Sequence, residues 1–151
     1  MAHERQAHVR RFDHVGITVS DLDAATAFFV KLGFEVEGTG SVEGEFPETV
    51  CGLPGAHCNI VMLRPPDGGC RLELSAFVTP GHVPGSPTAM PNELGLRNVS
   101  FEVGDLQAAL DATAADGYGL VGGIGTYEDS VRMAYVRGPD GIIVSLFEQL
   151  G

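Results

Sequence analysis

The sequence predicts an α+β chain built from two tandem βαβββ modules. Three observations predict it. The second half can be laid on the first without a gap, so that His14-Val15 falls on Asn98-Val99, Asp21-Leu22 on Asp105-Leu106 and Gly33-Phe34 on Gly117-Tyr118. The halves also end alike, with Arg64-Pro65-Pro66-Asp67-Gly68 before Leu72-Glu73-Leu74 and Arg137-Gly138-Pro139-Asp140-Gly141 before Val144-Ser145-Leu146. Glycine, at 21 residues, stands at about twice its average usage, which calls for many tight turns and hence many short strands.

In chain order, residues 1–11 are read as a mobile N-terminal arm. The first module covers 12–78. Phe12 to Val19 alternates with period two, placing Val15, Ile17 and Val19 on one apolar face. Asp21 then caps a helix over Asp21 to Leu32, whose apolar positions recur at helical spacing and which Gly33 ends. Strands are expected at Phe34 to Val42, His57 to Arg64 and Cys70 to Val78, with Pro66-Asp67-Gly68 turning the chain between the last two. A linker rich in proline and glycine occupies 79–95. The second module, 96–149, repeats the plan: a strand at Leu96 to Val103, a helix at Asp105 to Ala115 ended by Gly117, then strands at Leu120 to Val121, Val131 to Arg137 and Ile142 to Glu148.

Composition sets bounds on function. With 44% hydrophobic and 19% charged residues the chain can bury a core. Twenty acidic against nine basic residues, a net charge of -11, repel a phosphate backbone, so nucleic acid is not an expected partner. The same balance suits a cationic small molecule, although solubility alone accounts for it. No apolar run approaches the roughly 20 residues of a membrane helix, so no membrane partner is expected. Three cysteines without C-x-x-C spacing argue against a disulfide framework or thiolate zinc and point to a reducing cytoplasm. Modules of about 70 residues bury little surface, and open sheet edges invite pairing, so a homodimer is expected.

Strand parity locates a candidate site. The face turned from the helices carries Phe12, His14, Gly16 and Thr18 on the first strand and Arg71, Glu73, Ser75 and Phe77 on the last strand of the first module. In the second module it carries Leu96, Asn98, Ser100 and Glu102, then Ile143, Ser145 and Phe147. His14, Glu73, Asn98 and Ser145 therefore occupy four equivalent positions, with Ser100, Thr18 and Arg71 as further cavity lining. Glu148 has the opposite parity, His57 and His82 fall at surface ends, Tyr127-Glu128-Asp129 reads as a loop, and Phe28-Phe29 reads as core.

Through Asp13-His14-Val15-Gly16-Ile17, the paired Asp-Leu helix starts, Leu72-Glu73-Leu74 and the run from Arg137 to Leu146, the chain resembles the vicinal oxygen chelate superfamily over Phe12 to Gln149. That superfamily holds glyoxalases, extradiol dioxygenases, fosfomycin-resistance transferases and bleomycin-resistance proteins. The resemblance implies a glyoxalase-like fold of curved mixed sheets around a cavity that two subunits can share, and a divalent metal (Zn, Ni, Mn or Fe) taking one ligand from each of the four positions. His14 and Glu73 match that ligand set, with Glu73 also the candidate catalytic base. Asn98 and Ser145 depart from it, because family enzymes most often carry histidine and glutamate there. The expected function is therefore action on a small organic molecule by a metal-assisted lyase, isomerase or dioxygenase-like enzyme with an incomplete ligand set. The alternative is a metal-free binding protein of the sequestration or resistance type.

Overall fold

A computed structural model describes residues 8–151, so residues 1–7 of the expected arm lie outside the described residues. The first module comprises β1 (His14–Thr18), α1 (Leu22–Lys31), β2 (Glu35–Glu43), α2 (Glu45–Cys51), β3 (His57–Arg64) and β4 (Arg71–Thr79). The second comprises β5 (Asn98–Glu102), α3 (Leu106–Ala115), β6 (Gly125–Tyr127), β7 (Val131–Arg137), a single 3₁₀ turn (Pro139–Gly141) and β8 (Ile143–Gln149). Each module is one four-stranded mixed sheet, ordered β1-β4-β3-β2 and β5-β8-β7-β6. The first and last strands of each module pair in parallel and the other neighbours pair antiparallel.

The duplicated sequence produces duplicated local chemistry. The Asp21 carboxylate accepts the Ala24 amide at 3.0 Å, and the Asp105 carboxylate accepts the Ala108 amide at 3.0 Å, so both helices start from the same cap. Register pairs Val15 with Leu72 and Ile17 with Leu74, and likewise Val99 with Val144 and Phe101 with Leu146. These residues form the helix-facing side of each sheet, and Phe29, Leu74, Leu106 and Leu146 are fully buried there. The core runs across the module boundary. Phe101 meets Phe34 at a centroid distance of 4.9 Å and Phe29 at 6.3 Å, while Phe28 meets Tyr118 at 5.0 Å, all edge to face. Phe28 and Phe29 are thus core residues, as the helical spacing predicts.

Two elements differ from the sequence reading. Leu120 to Val121 is not a strand: Leu120 forms only an isolated bridge to Val136, and the third-last strand lies at Gly125–Tyr127. The hairpin after it decides the register. Ser130 donates its amide to the Tyr127 carbonyl at 2.9 Å across a two-residue turn in which Glu128 and Asp129 both have positive φ, 47° and 55°. That geometry matches the twist of flanking strands but carries no asparagine or glycine to announce it. The second difference is α2, seven residues between Gly44 (φ 96°) and Gly52 (φ 66°), where Pro47 sits in the first turn and needs no amide partner. In addition β1 begins at His14, leaving Phe12 exposed.

The linker is tied to the second module. Arg137 donates Nη1 to the carbonyls of Pro87 and Gly141 at 3.2 and 3.3 Å, and its Nη2 lies 3.7 Å from Met90 Sδ. Gly141 has φ 82°, and a Cβ there would stand 2.1 Å from the Pro87 carbonyl oxygen. The equivalent Gly68 has φ 71° but open space around it.

Two stability measurements follow from this geometry. Glu128→Asn with Asp129→Gly puts residues that adopt positive φ readily at both turn positions, so chemical denaturation should show a gain of about 0.5–1 kcal/mol. Gly141→Ala adds overlap with the linker to the backbone strain and should lose about 2–4 kcal/mol, against about 1 kcal/mol for Gly68→Ala, which has the strain alone.

Candidate functional site

Parallel pairing of β1 with β4 sets Gly16 opposite Glu73 and His14 opposite Arg71, so the side chains of His14 and Glu73 rise from the same face one register step apart. His14 Nε2 lies 3.7 Å from Glu73 Oε2. His14 Nδ1 is 2.7 Å from Asp13 Oδ2. An ionised carboxylate only accepts, so this contact places the proton on Nδ1 and turns Nε2 toward Glu73. Asp13 is held in turn by Arg71 Nη2 at 2.7 Å and Arg11 Nη1 at 2.6 Å, while Arg71 Nη1 donates to Glu37 at 2.7 Å. The His14 hydrogen bond, helped by Arg11 and Arg71 against partial desolvation, holds the Asp13 carboxyl at about 2. The Glu37 and Asp13 carboxylates push the Arg71 guanidinium above its usual value.

The second module presents neutral groups at the equivalent points. Ser100 is in register with Ser145 and donates its hydroxyl to Ser145 Oγ at 3.2 Å. Ser145 is only 2% exposed. Asn98 is exposed and lines, with His14 and Thr18, a cavity of about 570 Å³ between β1 and β5. Ser100 lines a separate cavity of about 630 Å³; Val15 and Val99 wall both, so the two strands run side by side with a cavity toward each end. The structure thus unites His14 with Glu73, His14 with Asn98 and Thr18, and Ser145 with Ser100. Glu73, Ser145 and Arg71 are not in the wall of the cavity that holds His14.

The remaining candidates are elsewhere. Glu148 accepts the first amide of α3, Leu106 N–H, at 3.0 Å, on the helix side as its parity predicts. His57 Nε2 pairs with Ser41 Oγ at 2.8 Å beside Glu43, and His82 is exposed in the linker. Tyr127, expected in a loop, belongs to β6 and walls an apolar cavity of about 650 Å³ with Met90, Met133 and Tyr135. Few polar groups reach that cavity. Burial pushes the Cys58 thiol up, away from reactivity.

Three residues at the site escape sequence reasoning. Asp13 falls inside the strand expected from Phe12, with the parity of Val15 on the helix side, but β1 begins at His14 and Asp13 instead bonds the His14 ring. Asp140 lies in the turn before β8 and accepts both the amide and the hydroxyl of Ser20, clasping one module to the other. Arg97 lines the cavity of His14 with one nitrogen on Glu93 at 3.0 Å, yet its Nε is shielded from solvent without an acceptor. Among the described residues it is the sole buried side-chain nitrogen or oxygen in that condition, and such a group asks for an explanation.

The donors do not fit a firmly held metal ion on protein ligands alone. Zn, Ni, Mn and Fe sites rest on three or four strong imidazole or carboxylate donors, whereas here two are joined by an amide and a hydroxyl. Among the described residues no group of three or more histidine, cysteine, aspartate or glutamate side chains is placed to hold an ion.

A family described as the Glyoxalase/Bleomycin resistance protein/Dioxygenase superfamily matches residues 11–146. The fold is similar to that of a glyoxalase family protein from Bacillus cereus, with 39% identity, a TM-score of 0.93, and 99% of this chain and 100% of that chain covered. A glyoxalase family protein from Enterococcus faecalis shares 25% identity, with a TM-score of 0.58 over 92% of this chain and 98% of the other. An antibiotic-binding protein from a Streptomyces species shares the fold at 17% identity, with a TM-score of 0.61 and coverage of 95% and 99%. No curated protein matches the sequence. The duplicated modules and the match across nearly their whole length have one meaning: the chain belongs to the Glyoxalase/Bleomycin resistance protein/Dioxygenase superfamily.

Proposed function

We propose that this protein binds a small organic molecule in the cavity between β1 and β5, without a firmly held metal ion. One observation carries the reading: the half of the symmetric set on β5 and β8 is neutral, and the Ser145 hydroxyl is shielded and already bonded to Ser100. In the superfamily's carbonyl chemistry an ion polarises the substrate while a carboxylate moves a proton, and this chain offers only Glu73 for both demands. Asn98, Thr18 and the His14 Nε2 edge are suited instead to orienting a ligand by hydrogen bonds within apolar walls. The antibiotic-binding Streptomyces protein is a precedent for binding on this fold.

A second reading is favoured by one contact. The Asp13 bond to His14 Nδ1 is the support that metal-ligating histidines commonly receive, so His14 and Glu73 would hold a divalent ion whose remaining positions are filled by ligand oxygens, with Glu73 as base.

Metal content separates the two. Protein purified without added metal should contain far less than one equivalent of Zn, Ni, Mn or Fe by elemental analysis. Asn98→His with Ser145→Glu should raise Zn or Ni affinity at least about 100-fold in calorimetry, because each added strong ligand contributes several kcal/mol where the four positions converge. One equivalent of metal in the wild type, lost on His14→Ala or Glu73→Ala, would replace the first reading by the second.

The Asp13 network has its own signature in acid. A carboxyl at about 2, below its ordinary 3.8, contributes stability that is complete above 3.8 and disappears as pH falls through about 2. Between pH 4 and pH 2 the wild type should therefore lose stability relative to Asp13→Asn, and urea melts across that window will show whether the two curves converge.

A further inference from the structure

The cavity shared by β1 and β5 is apolar over most of its wall, with Val15, Ile17, Leu96 and Ile143 among its lining, and carries two charged residues, Asp140 and Arg97. The Asp140 carboxylate is already engaged by the Ser20 amide and hydroxyl. Arg97 is not saturated. Its Nη1 donates to Glu93, a surface pair one helical turn's spacing away in sequence, and its Nε–H is closed off from solvent and ligand alike, while its Nη2 makes no hydrogen bond among the described residues. A guanidinium presents donors in a flat fork matched to the two oxygens of a carboxylate, and part of this fork is unused. Asn98, the next residue, adds an amide at the same wall.

We infer that the molecule taken by this cavity is an organic anion: a carboxylate whose charged end sits on Arg97 beside Asn98 and whose apolar body lies against Val15, Ile17 and Ile143. The inference rests on the reading of this cavity as the ligand site and names the class of its ligand. It runs against the bulk charge of -11, which by itself suits a cation. Surface charges, however, are screened by salt beyond about 8–10 Å, while a carboxylate in direct contact with a guanidinium at a partly enclosed wall is screened less. Glu93 does not cancel the site, because an exposed ion pair competes weakly with a desolvated, forked contact.

The test compares two probes of one shape. The full chain is titrated with 2-naphthoate and with 2-naphthamide, following probe fluorescence, which no tryptophan of this protein obscures. Binding is located by the amide NMR shifts of Thr18, Asn98 and Ile143. Naphthoate should bind at least 10-fold more tightly than naphthamide, Arg97→Gln should bring the two affinities together, and Arg97→Lys should keep part of the preference. Equal binding of the two probes by the wild type, a comparison that needs no variant to fold, overturns the assignment of an anion and leaves the cavity reading standing. So does undiminished naphthoate binding by Arg97→Gln. If neither probe binds at millimolar concentration and none of the three amides shifts, the cavity reading falls and takes the carboxylate with it.

Discussion

The contact on which the rest of the molecule depends is Phe101 of β5 packed edge to face on Phe29 and Phe34 of the first module. A βαβββ unit of this size has one apolar face per sheet and one helix to cover it, which leaves too little buried surface for independence. Joining the two helix-side faces through aromatic side chains supplies the missing burial, with each such pair worth about 0.5–1.5 kcal/mol beyond the area it covers. Geometry follows from that choice. Ile17 and Phe101, equivalent residues of the two halves, both pack against the shared core, which makes neighbours of the first strands of the two modules: Val15 and Val99 wall the same cavities. The cavity that holds His14 and Asn98 is the space left by that pairing.

Pseudo-symmetry makes the departures from symmetry informative. Both modules enter the last strand through a Pro-Asp-Gly turn, but the two aspartates do different work. Asp67 accepts the amide of its own Gly69 at 2.9 Å, whereas Asp140 accepts from Ser20 across the module boundary. Gly104 stands where Ser20 has its hydroxyl, so the equivalent position in the second module lacks that donor. The cavity beside Asp140 is consequently braced from three directions, by the Ser20 clasp, by Arg137 on the linker and by the tight approach of Gly141 to Pro87. The cavity beside Asp67 lacks these ties.

Most of the fold was legible because periodicity and punctuation survive in the sequence. Val15, Ile17 and Val19 alternate, Asp21 and Asp105 stand before helical runs, and the helices at 22–31 and 106–115 were placed to within a residue at each start. β6 was not legible, since three exposed residues carry no apolar face and their turn, Glu128-Asp129, lacks turn-forming chemistry. α2 was hidden because seven residues containing a proline show no usable period. Parity set His14, Glu73, Asn98 and Ser145 on strands, where β1, β4, β5 and β8 have them, but only His14 and Asn98 line the cavity between β1 and β5. It could not find Asp13 or Asp140, which act from strand ends and turns, nor Arg97, whose importance lies in a hydrogen bond it does not make.

The neutral residue at Ser145 and the proposed lack of a firmly held ion belong together energetically. A carboxylate in a position 2% exposed, with only the Ser100 hydroxyl beside it, would bear a desolvation cost of several kcal/mol that a bound cation offsets and little else here does. Without the ion, a serine able to bond Ser100 is the polar residue such a position tolerates. His14 and Glu73 face no such penalty, because their side chains remain 35% and 27% exposed and water solvates what a metal would otherwise bind. The positions therefore answer to different constraints: the buried one, Ser145, must be neutral when no cation is held, while the solvated His14 and Glu73 are free to remain charged. In the proposed site, polar recognition then comes from His14 and Thr18 of the first module and from Arg97 and Asn98 of the second, with the apolar walls supplying shape.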